Sequence, residues 1–361
     1  MKTLVLVTYV DFWRMGSGHR TRISSMVNCL MDKAKITVFF AGPENDSDKA
    51  LLSKNFLGMN VEFALSDTGL TFRDYKEKFS IFIKGKFFDF ALIEYIELSI
   101  VLEYLPATTV TILDTHDIVF DRIKSFKKFN LGYDGIMLTQ KEELHIYQCY
   151  DYIILIQKSD FENISKKMDA GRLLLAPHPA VLKKKRIRKK AHHIGYVASP
   201  YQPNIDALNW FINNVWDEIW RKHSFTLNIY GNIKHSFLLS SEMRNKNIIF
   251  HGFVDDLEKL YDSLDIIINP VRCGAGLKIK NVEALSHGIP LITTSHGASG
   301  IEDGASKAFL IGDTPNEYMF AFNMLAENYD FRKRLSENAF EYAQFNFSEE
   351  KCYADIFKIM N

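Results

Sequence analysis

The stretch IIINPVRCGAGLKIKNVEALSHGIPLITT, residues 266–294, decides the fold. It begins with a short β-branched run, Ile266–Ile268, that is typical of a buried strand. A loop rich in glycine and positive charge follows, and the helical spacing of the apolar residues in 277–285 predicts a helix that starts near Gly276. A second apolar strand, Pro290–Thr294, closes the unit. This order of strand, helix and strand is typical of a parallel sheet.

The same alternation extends along the chain in both directions. In the first half strands are predicted at Thr3–Tyr9, Ile36–Phe40, Val61–Ala64, Phe90–Ile93, Val110–Leu113, Tyr152–Ile156 and Leu173–Ala176. In the second half they are predicted at His193–Ala198, Thr226–Tyr230, Ile248–Phe250, Ile266–Ile268, Pro290–Thr294 and Ala308–Ile311. Amphipathic segments lie between them, so we expect parallel sheets covered by helices on both faces.

Two series of similar size predict an α/β protein with two doubly wound, Rossmann-like domains. We expect an N-terminal domain over 1–178, a basic linker over 179–192 and a C-terminal domain over 193–345. The last residues, 346–361, are expected to form a helix that packs back across the N-terminal domain. In PYQPNIDALNWFINNVW, residues 200–216, Asn204 is predicted to cap the first helix of the second domain.

The composition excludes several classes of protein. The 44 basic and 44 acidic residues balance, so no overall field favours nucleic acid. The four cysteines lie far apart without metal-ligand spacing, which is typical of reduced thiols in a cytoplasmic protein. No leader peptide is expected, and no window of about 18 residues is free of charge, so we expect no membrane span and a cytoplasmic location.

One local charge feature interrupts this balance. The run KKKRIRKK, residues 183–190, is interpreted as a solvated linker between the domains. The alternative is contact with an anionic membrane surface, since clustered Lys and Arg contribute about 1 kcal/mol each there. Nucleic acid is the weakest alternative because no aromatic platform accompanies the run.

In open parallel sheets ligands bind beyond the carboxyl ends of the strands, so the loops at those ends are searched first. The first loop, VDFWRMGSGHRTR, has Gly16 and Gly18 for tight backbone geometry and Arg20 at the start of the next helix. This arrangement predicts an anion site. A dinucleotide fingerprint is excluded because Thr21 stands at the third glycine position. A turn without a ligand remains the alternative.

A second strand runs directly into the motif DTHD. Asp114, His116 and Asp117 follow the strand, and a histidine between acids can be held in one tautomer facing a substrate. The alternative is that an aspartate caps the next helix and that His116 is a solvated loop residue.

The loop within residues 266–294 predicts a phosphate site. Its basic and glycine residues are Arg272, Gly274, Gly276, Lys278 and Lys280. Free backbone N–H groups, the positive end of the helix dipole and these cations favour a diphosphate. Glu283, one turn further on, could accept hydrogen bonds from ribose hydroxyls. The alternative is a surface pair of Lys280 with Glu283, worth a few tenths of a kcal/mol.

Residues 194–303 resemble, in matching order, the donor-binding domain of the family 4 retaining glycosyltransferases. The resemblance lies in IGYVASPYQPNIDALNWFINNVW, LNIYGN and NIIFHGFVDDLEKLYDSLDIIINPVRCGAGLKIKNVEALSHGIPLITTSHGASGIED. The first half is similar more loosely, through its glycine loop, DTHD and YDYIILIQKSDFENI. The resemblance implies a GT-B architecture, in which two Rossmann-like domains face a central cleft.

The resemblance also implies roles for individual residues. Arg272 and Lys278 would neutralise the donor diphosphate, beside Gly274 and Gly276, and Glu283 would hold the ribose. Phe253 and Val254 would meet the base, and the loop with Ser295, Gly297 and Ala298 would cover the sugar and phosphates. In the first domain Gly16, Ser17 and Gly18 would face the diphosphate, and His19, Arg20 and Asp117 would face the acceptor. His116 would lie beside the transferred sugar and act in catalysis with Lys278 and Arg272.

Two positions depart from the family pattern. Ala275 stands where many members have a glutamate that contacts the sugar, which removes the usual clue to the identity of that sugar. The loop VASPYQPN offers Ser199 in place of the usual Arg or Lys, so Arg272 and Lys278 would carry the diphosphate.

The implied function is a retaining, metal-independent transfer of sugar from a UDP- or GDP-sugar to a hydroxyl of an acceptor glycan, with no cofactor. A lipid-linked or cell-envelope glycan is the expected acceptor, in polysaccharide or lipopolysaccharide synthesis by an enzyme on the inner face of the cytoplasmic membrane. The alternatives are a nucleotide-sugar epimerase of the same architecture and a non-catalytic partner of another glycosyltransferase.

Overall fold

A computed structural model of the 361-residue chain describes residues 1–14, 16–44, 46–65, 72–237, 246–254 and 256–361. All structural statements below concern these residues.

The first domain is built on a sheet of seven parallel strands. They are β1 (Lys2–Thr8), β2 (Ala34–Pro43), β3 (Asn60–Leu65), β4 (Phe90–Glu94), β5 (Val110–Asp114), β6 (Tyr152–Leu155) and β7 (Leu173–Leu175), in the spatial order β3-β2-β1-β4-β5-β6-β7. Its α-helices are α1 (Gly18–Met31), α2 (Asp46–Asn55), α3 (Phe72–Ile83), α4 (Val119–Lys128), α5 (Gln140–Tyr147) and α6 (Lys158–Ile164). A 3-10 helix covers Ile96–Tyr104.

The second domain repeats this plan with six parallel strands. They are β8 (His193–Val197), β9 (Thr226–Tyr230), β10 (Ile248–Gly252), β11 (Ile266–Asn269), β12 (Leu291–Thr293) and β13 (Leu310–Ile311), in the spatial order β10-β9-β8-β11-β12-β13. Its α-helices are α7 (Gln202–Phe211), α8 (Asp217–Lys222), α9 (Leu257–Ser263), α10 (Ile279–Ser286), α11 (Pro315–Glu327) and α12 (Tyr329–Asn346). A π-helical turn, Ile212–Trp216, joins α7 to α8.

The predicted fold class is confirmed, because both sheets are wholly parallel and each predicted strand has an observed counterpart. The strands are apolar on both faces since helices cover both sides. In β1, for example, Leu4, Val5, Leu6 and Val7 are all buried.

The strand order reverses direction at one place in each sheet, between β1 and β4 and between β8 and β11. The loops that leave the carboxyl ends of these strands diverge at that place and leave a crevice. The first and second halves of the chain therefore each direct their loops toward one cleft.

Two predicted helix boundaries are wrong. The helix in the stretch 266–294 begins at Ile279 with Lys278 as its N-cap, because Gly274 (φ 107°) and Gly276 (φ 69°) adopt left-handed conformations that no helix uses. Asn204 lies inside α7 and does not cap it. That helix starts earlier because Pro203 fits its first turn, where no backbone N–H is needed.

The C-terminal residues cross back to the first domain. After α12 two short helices follow, α13 (Glu349–Cys352) and α14 (Ala354–Met360). The backbone N–H of Leu175 in β7 donates to Oδ2 of Asp355 at 3.1 Å, and the Tyr353 hydroxyl lies 3.3 Å from Oγ of Ser25. Where the chain crosses between the domains, the N–H of Ala180 donates to the carbonyl of Phe347 at 2.8 Å.

The basic run 183–190 is not solvated along its length. Lys185 is buried, and its Nζ lies 3.4 Å from the carbonyl oxygen of Tyr261. Arg188 donates to Oδ1 of Asp265 at 2.9 Å, and Arg332 donates to the backbone carbonyl of Arg188. The expectation of a solvated linker is therefore wrong for Lys185, whereas Arg188 is attached to the second domain with 46% of its side chain exposed.

No helix in the described part of the chain is both long enough and apolar enough to cross a membrane.

Candidate active site

The loops at the strand ends enclose one cleft of about 480 Å³ between the two domains. Residues that follow β1, β4, β5, β8, β9, β10 and β11 all contribute to its walls. Its volume lies within the range of pockets that bind small molecules and cofactors.

Ten of the predicted site residues line this cleft: Gly16, Ser17, Gly18, His19, His116, Asp117, Phe253, Val254, Lys278 and Glu283. Residues from distant parts of the chain are thus brought together. Seven others do not line it: Arg20, Arg272, Gly274, Gly276, Ser295, Gly297 and Ala298.

Arg272 has a different partner from the one expected. Its guanidinium donates to both carboxylate oxygens of Asp206, with Nη2 2.7 Å from Oδ1, and it lies over the rings of Phe129 and Trp210. A planar guanidinium held by a carboxylate and two aromatic faces is well fixed. Arg272 thus lies outside the cleft walls, and on the second-domain wall the cations that line the cleft are Lys278 and Lys280.

The remaining residues outside the walls have structural contacts of their own. Arg20 forms an ion pair with Asp11, with 2.6 Å between Nη2 and Oδ1. Ser295 donates to Asp313 through both its backbone N–H, at 2.7 Å, and its hydroxyl, at 2.6 Å. Ala298 is buried in the core. A Cβ atom added at Gly297 would lie 2.2 Å from Oγ1 of Thr293, so only glycine fits there.

Two glycines allow the domains to approach each other. A Cβ atom at Gly276 would lie 2.8 Å from the carbonyl oxygen of His116 in the other domain. A Cβ atom at Gly16 would lie 2.8 Å from the ring of Phe253. Both glycines also have positive φ angles, 69° and 110°, which favour glycine independently of space.

His116 is held by two neighbours at the end of β5. Its Nε2 lies 2.6 Å from Oε2 of Glu94, and its ring stacks on Tyr95 with 4.0 Å between centroids. When Glu94 is ionised the Nε2–H donates to it, which leaves Nδ1 as the acceptor. His116 has φ of 58°, a left-handed conformation uncommon for a residue with a side chain. The alternative of a solvated loop residue is excluded, since only 8% of the side chain is exposed.

A buried ion pair between Arg22 and Asp114 supports the arrangement of His116. Arg22 in α1 donates to both carboxylate oxygens of Asp114, at 2.9 and 3.0 Å, and neither side chain is exposed. Burial would raise the pKa of Asp114, but the Arg22 guanidinium outweighs it and holds the pKa below its ordinary value. Burial raises the pKa of the neighbouring Glu94. Asp114 does not cap α4, whose first N–H groups donate instead to Glu143.

Glu94, Asp114 and His116 are also the described residues whose atoms are grouped closely enough to ligate a metal ion. Both oxygens of Asp114 already accept from Arg22. A metal ion there would lie beside a guanidinium and would have to displace it, so this set of residues fits a metal poorly.

The glycine loop presents polar groups to the cleft. Ser17 is the N-cap of α1, yet its side chain accepts no capping hydrogen bond, and its Oγ is buried without a partner in the described residues. His19 follows, and burial, with the charge of His116 in addition, lowers its pKa to about 4. His19 is therefore neutral at pH 7 and can accept or donate a hydrogen bond.

Two lysines face the first domain from the other wall. Nζ of Lys278 donates to the carbonyls of Ala275 and Gly276, at 3.1 and 2.7 Å, and Nζ of Lys280 donates to Oδ1 of Asn204 at 2.9 Å. Burial lowers the pKa of Lys278 to about 8. Burial and the charge of Lys278 lower the pKa of Lys280 to about 7. Both ammonium groups lack a carboxylate partner within 4.0 Å among the described residues, so they favour an anion.

Glu283 lies one turn into α10, with its Oε2 2.6 Å from the hydroxyl of Tyr261. Burial raises its pKa against the opposing effects of Tyr261 and Lys280. The alternative of a surface pair between Lys280 and Glu283 is not observed, because each has a different partner. The carboxylate keeps a free oxygen for hydroxyl donors in the cleft.

Sequence reasoning missed several residues that line the cleft, chiefly Tyr95, Arg122, Tyr201 and Tyr230. Tyr95 had a usable signal, because it follows directly after β4 at the point where the strand order reverses. Arg122 had none, since it lies within α4 and reaches the cleft only through packing.

Residues 191–328 match the family model described as glycosyl transferases group 1. The matched region is 38% of the chain, calculated from 138 of 361 residues. It contains the second wall of the cleft.

One relative is an uncharacterised 44.6 kDa protein in the cps region of Klebsiella pneumoniae. It is 25% identical to this chain over 251 residues, which are 66% of this chain and 63% of that protein. The match thus spans less than two thirds of the relative.

Solved structures share the fold over the whole chain. TarM from S. aureus, a mutant in complex with fondaparinux, α-GlcNAc-glycerol and UDP, has a TM-score of 0.75 at 11% identity, with all of both chains covered. HepE from Anabaena, in complex with UDP and glucose, has a TM-score of 0.73 at 12% identity, covering 100% of this chain and 99% of that one. The shared architecture is GT-B.

Proposed function

We propose that the protein is a retaining glycosyltransferase of family 4 that transfers a sugar from a UDP- or GDP-sugar to a hydroxyl group of an acceptor glycan. One observation carries the proposal. Lys278, Lys280 and Glu283 line one wall of the cleft, and His116, which the buried Glu94 holds, lines the other, so a nucleotide sugar can lie between them.

The second wall has groups that could bind each part of a nucleoside diphosphate: the diphosphate, the ribose and the base. Lys278 is the N-cap of α10 and Lys280 lies in its first turn, so the helix dipole adds to their charge, and the two ammonium groups would bind the diphosphate. Glu283 would accept from the ribose hydroxyls. Phe253 and Val254 also line the cleft and would contact the base.

The reaction that this site would carry out is a substitution at the anomeric carbon. The bond from that carbon to the diphosphate oxygen breaks, and a bond to the acceptor oxygen forms on the same face. The acceptor proton passes to an oxygen of the departing phosphate. Lys278 and Lys280 stabilise the negative charge that develops on the leaving group. His116, fixed by Glu94 and Tyr95, orients the sugar.

The relatives support the proposal at the level of ligand class. The structures of TarM and HepE contain UDP, and the latter also contains glucose. The family model covers the part of this chain that forms the donor wall.

We propose that the reaction needs no metal ion. The residues that could ligate one, Glu94, Asp114 and His116, are already engaged with each other and with Arg22. Turnover in excess EDTA should equal turnover with added Mg²⁺ or Mn²⁺. A tenfold loss in EDTA that Mn²⁺ restores would contradict this part.

We propose that the acceptor is a cell-envelope glycan and that the enzyme is located at the inner face of the cytoplasmic membrane. The Klebsiella pneumoniae relative is a protein in the cps region, which supports this proposal. Lys184, Arg186, Lys189 and Lys190 of the basic run are exposed and could contact anionic lipid. In a sedimentation assay the protein should pellet with vesicles that contain 30% anionic lipid and should stay in the supernatant with neutral vesicles.

The test of the function is a screen of UDP- and GDP-sugars by calorimetry, followed by a nucleotide-release assay with glycan acceptors. We expect one sugar nucleotide to bind, and nucleoside diphosphate to be released with an acceptor present. Proton NMR of the product gives the anomeric configuration. Interconversion of the sugar nucleotide without an acceptor would identify an epimerase, and no binding of any nucleotide would identify a non-catalytic partner.

A further inference from the structure

Four buried polar atoms of the first domain, three of them on residues that line the cleft, lack hydrogen-bond partners in the described residues. They are Oγ of Ser17, Oε2 of Glu97, Oδ1 of Asp117 and Nε of Arg122. Buried polar atoms are nearly always paired, and each one left unpaired costs about 1–3 kcal/mol. Such a group at the edge of a cleft indicates that a hydrogen-bonding molecule binds there.

Three of the four residues, Ser17, Asp117 and Arg122, line the cleft, and Asp117 accepts from Nη1 of Arg122 at 3.2 Å through its other oxygen. Glu97 lies in the first turn of the 3-10 helix that directly follows Tyr95, another residue of the cleft wall. Burial raises the pKa of the Tyr9 hydroxyl, and the charge of Glu97 raises it further. Tyr9 in turn stacks on Tyr95, with 5.2 Å between the centroids.

The unpaired atoms define the hydrogen bonds that the molecule must supply. The carboxylate oxygens of Glu97 and Asp117 only accept, Arg122 only donates, and the Ser17 hydroxyl can do both. A molecule with several hydroxyl groups meets these needs. An additional carboxylate or phosphate would face Glu97 and Asp117 and be repelled, while Arg122 is already paired with Asp117.

Aromatic rings border the same place. Tyr9 is 41% exposed and Tyr201, from the second domain, is 45% exposed, so each has ring surface available. Tyr201 lines the cleft together with Asp117, and Tyr9 stacks on Tyr95 of the same wall. Rings of this kind pack against the apolar face of a sugar while the carboxylates bind its hydroxyls.

We propose that Tyr9, Glu97, Asp117, Arg122 and Tyr201 form an acceptor subsite that binds a non-acidic sugar unit and rejects sugars with a carboxylate or phosphate. The inference rests on the proposed function. His116 precedes Asp117 and stacks on Tyr95, so an acceptor hydroxyl in this subsite would lie next to the transferred sugar.

The experiment measures binding of methyl glycosides to the protein saturated with its nucleoside diphosphate, by saturation-transfer NMR. Methyl glucoside and methyl N-acetylglucosaminide should bind, and methyl glucuronide should bind at least tenfold more weakly. Glu97→Gln and Asp117→Asn keep the side-chain shape and remove the charge. Each should weaken the neutral glycosides about 5- to 20-fold and reduce the discrimination against glucuronide.

The matched control is Glu103→Gln, because Glu103 is 54% exposed and pairs with Lys76 outside the cleft. It should change neither affinity, and thermal unfolding checks that every variant is folded. Nucleotide binding with no glycoside binding, or with equal affinity for glucuronide, would overturn the subsite while leaving the proposed function intact. Failure of the nucleotide itself to bind would contradict the proposed function instead.

Discussion

Lys278 and Lys280 lie on the same wall of the cleft, and the two ammonium groups have only neutral oxygens as partners. A charged hydrogen bond to a ligand contributes about 1.5–3 kcal/mol. We therefore expect Lys278→Met and Lys280→Met each to weaken nucleotide-sugar binding about 10- to 100-fold, measured by calorimetry. Lys333→Met is the control, since Lys333 is 55% exposed and pairs with Glu337. Unchanged affinity in both cleft variants would exclude the diphosphate assignment.

The lowered pKa values of these lysines predict a pH dependence. Their pKa values are about 8 for Lys278 and about 7 for Lys280, so the free protein loses positive charge as pH rises through this window. The diphosphate binds the protonated forms, hence affinity should be highest below pH 7 and fall about 10-fold or more by pH 9. Calorimetry in buffers of different ionisation enthalpy should show proton uptake on binding at pH 8. Proton release would contradict this direction.

Arg272 shows the limit of residue-level prediction from sequence. Its place in a loop after β11 predicted a contact with the diphosphate, yet its side chain does not line the cleft. Arg272 is bound by Asp206, which lies 66 residues away in α7. The sequence around Arg272 does not predict this ion pair. Lys280 was visible in the same stretch, but its partner Asn204 was interpreted as a helix cap. Tertiary packing decides which of several possible partners a side chain binds.

At the scale of elements, the loop between β11 and α10 depends on Gly276. A side chain there would be strained at φ 69° and would approach the His116 carbonyl to 2.8 Å. Because the strain is about 1–2 kcal/mol and the contact joins two domains, Gly276→Ala should lower kcat/KM about 10-fold or more with a small change in Tm. Steady-state kinetics and thermal unfolding measure the two quantities.

Gly132→Ala is the matched control for this change, since a Cβ atom at Gly132 meets nothing within 4 Å and its φ is not positive. It should leave kcat/KM within twofold of the natural protein. Equal effects from the two substitutions would mean that the close approach at Gly276 has no role in activity.

Strands were predicted more accurately than helix ends. Buried parallel strands are short apolar runs between polar loops, and this contrast is visible without knowledge of the partners. The ends of helices depend on backbone geometry and distant caps. Glu143, for instance, caps α4 from another helix. The π-helical turn at Ile212–Trp216 interrupts a segment whose apolar spacing predicts one continuous helix.

At the scale of the whole molecule, the C-terminal residues stabilise a domain to which they do not belong in sequence. Ile356 and Met360 are buried, and Asp355 accepts from β7. Burial of two such side chains contributes about 3–6 kcal/mol. Removal of residues 354–361 should lower the free energy of unfolding of the first domain by about this amount, measured by urea denaturation.

The control for this truncation is Lys358→Ala, because Lys358 is exposed in the same helix. Its unfolding should match that of the full chain. A truncated protein with undiminished stability would show that the C-terminal helix rests on the first domain without supporting it.

The hydrogen bond between Ala180 and Phe347 has a mechanical consequence. The chain passes between the domains twice, and this bond joins the two passages side by side. Two crossings restrict the relative motion of the domains more than a single tether would, so we expect the cleft to open by a hinge rotation at this place. Such a motion would bring the lysines of one wall and the histidine of the other back to the same register each time the cleft closes.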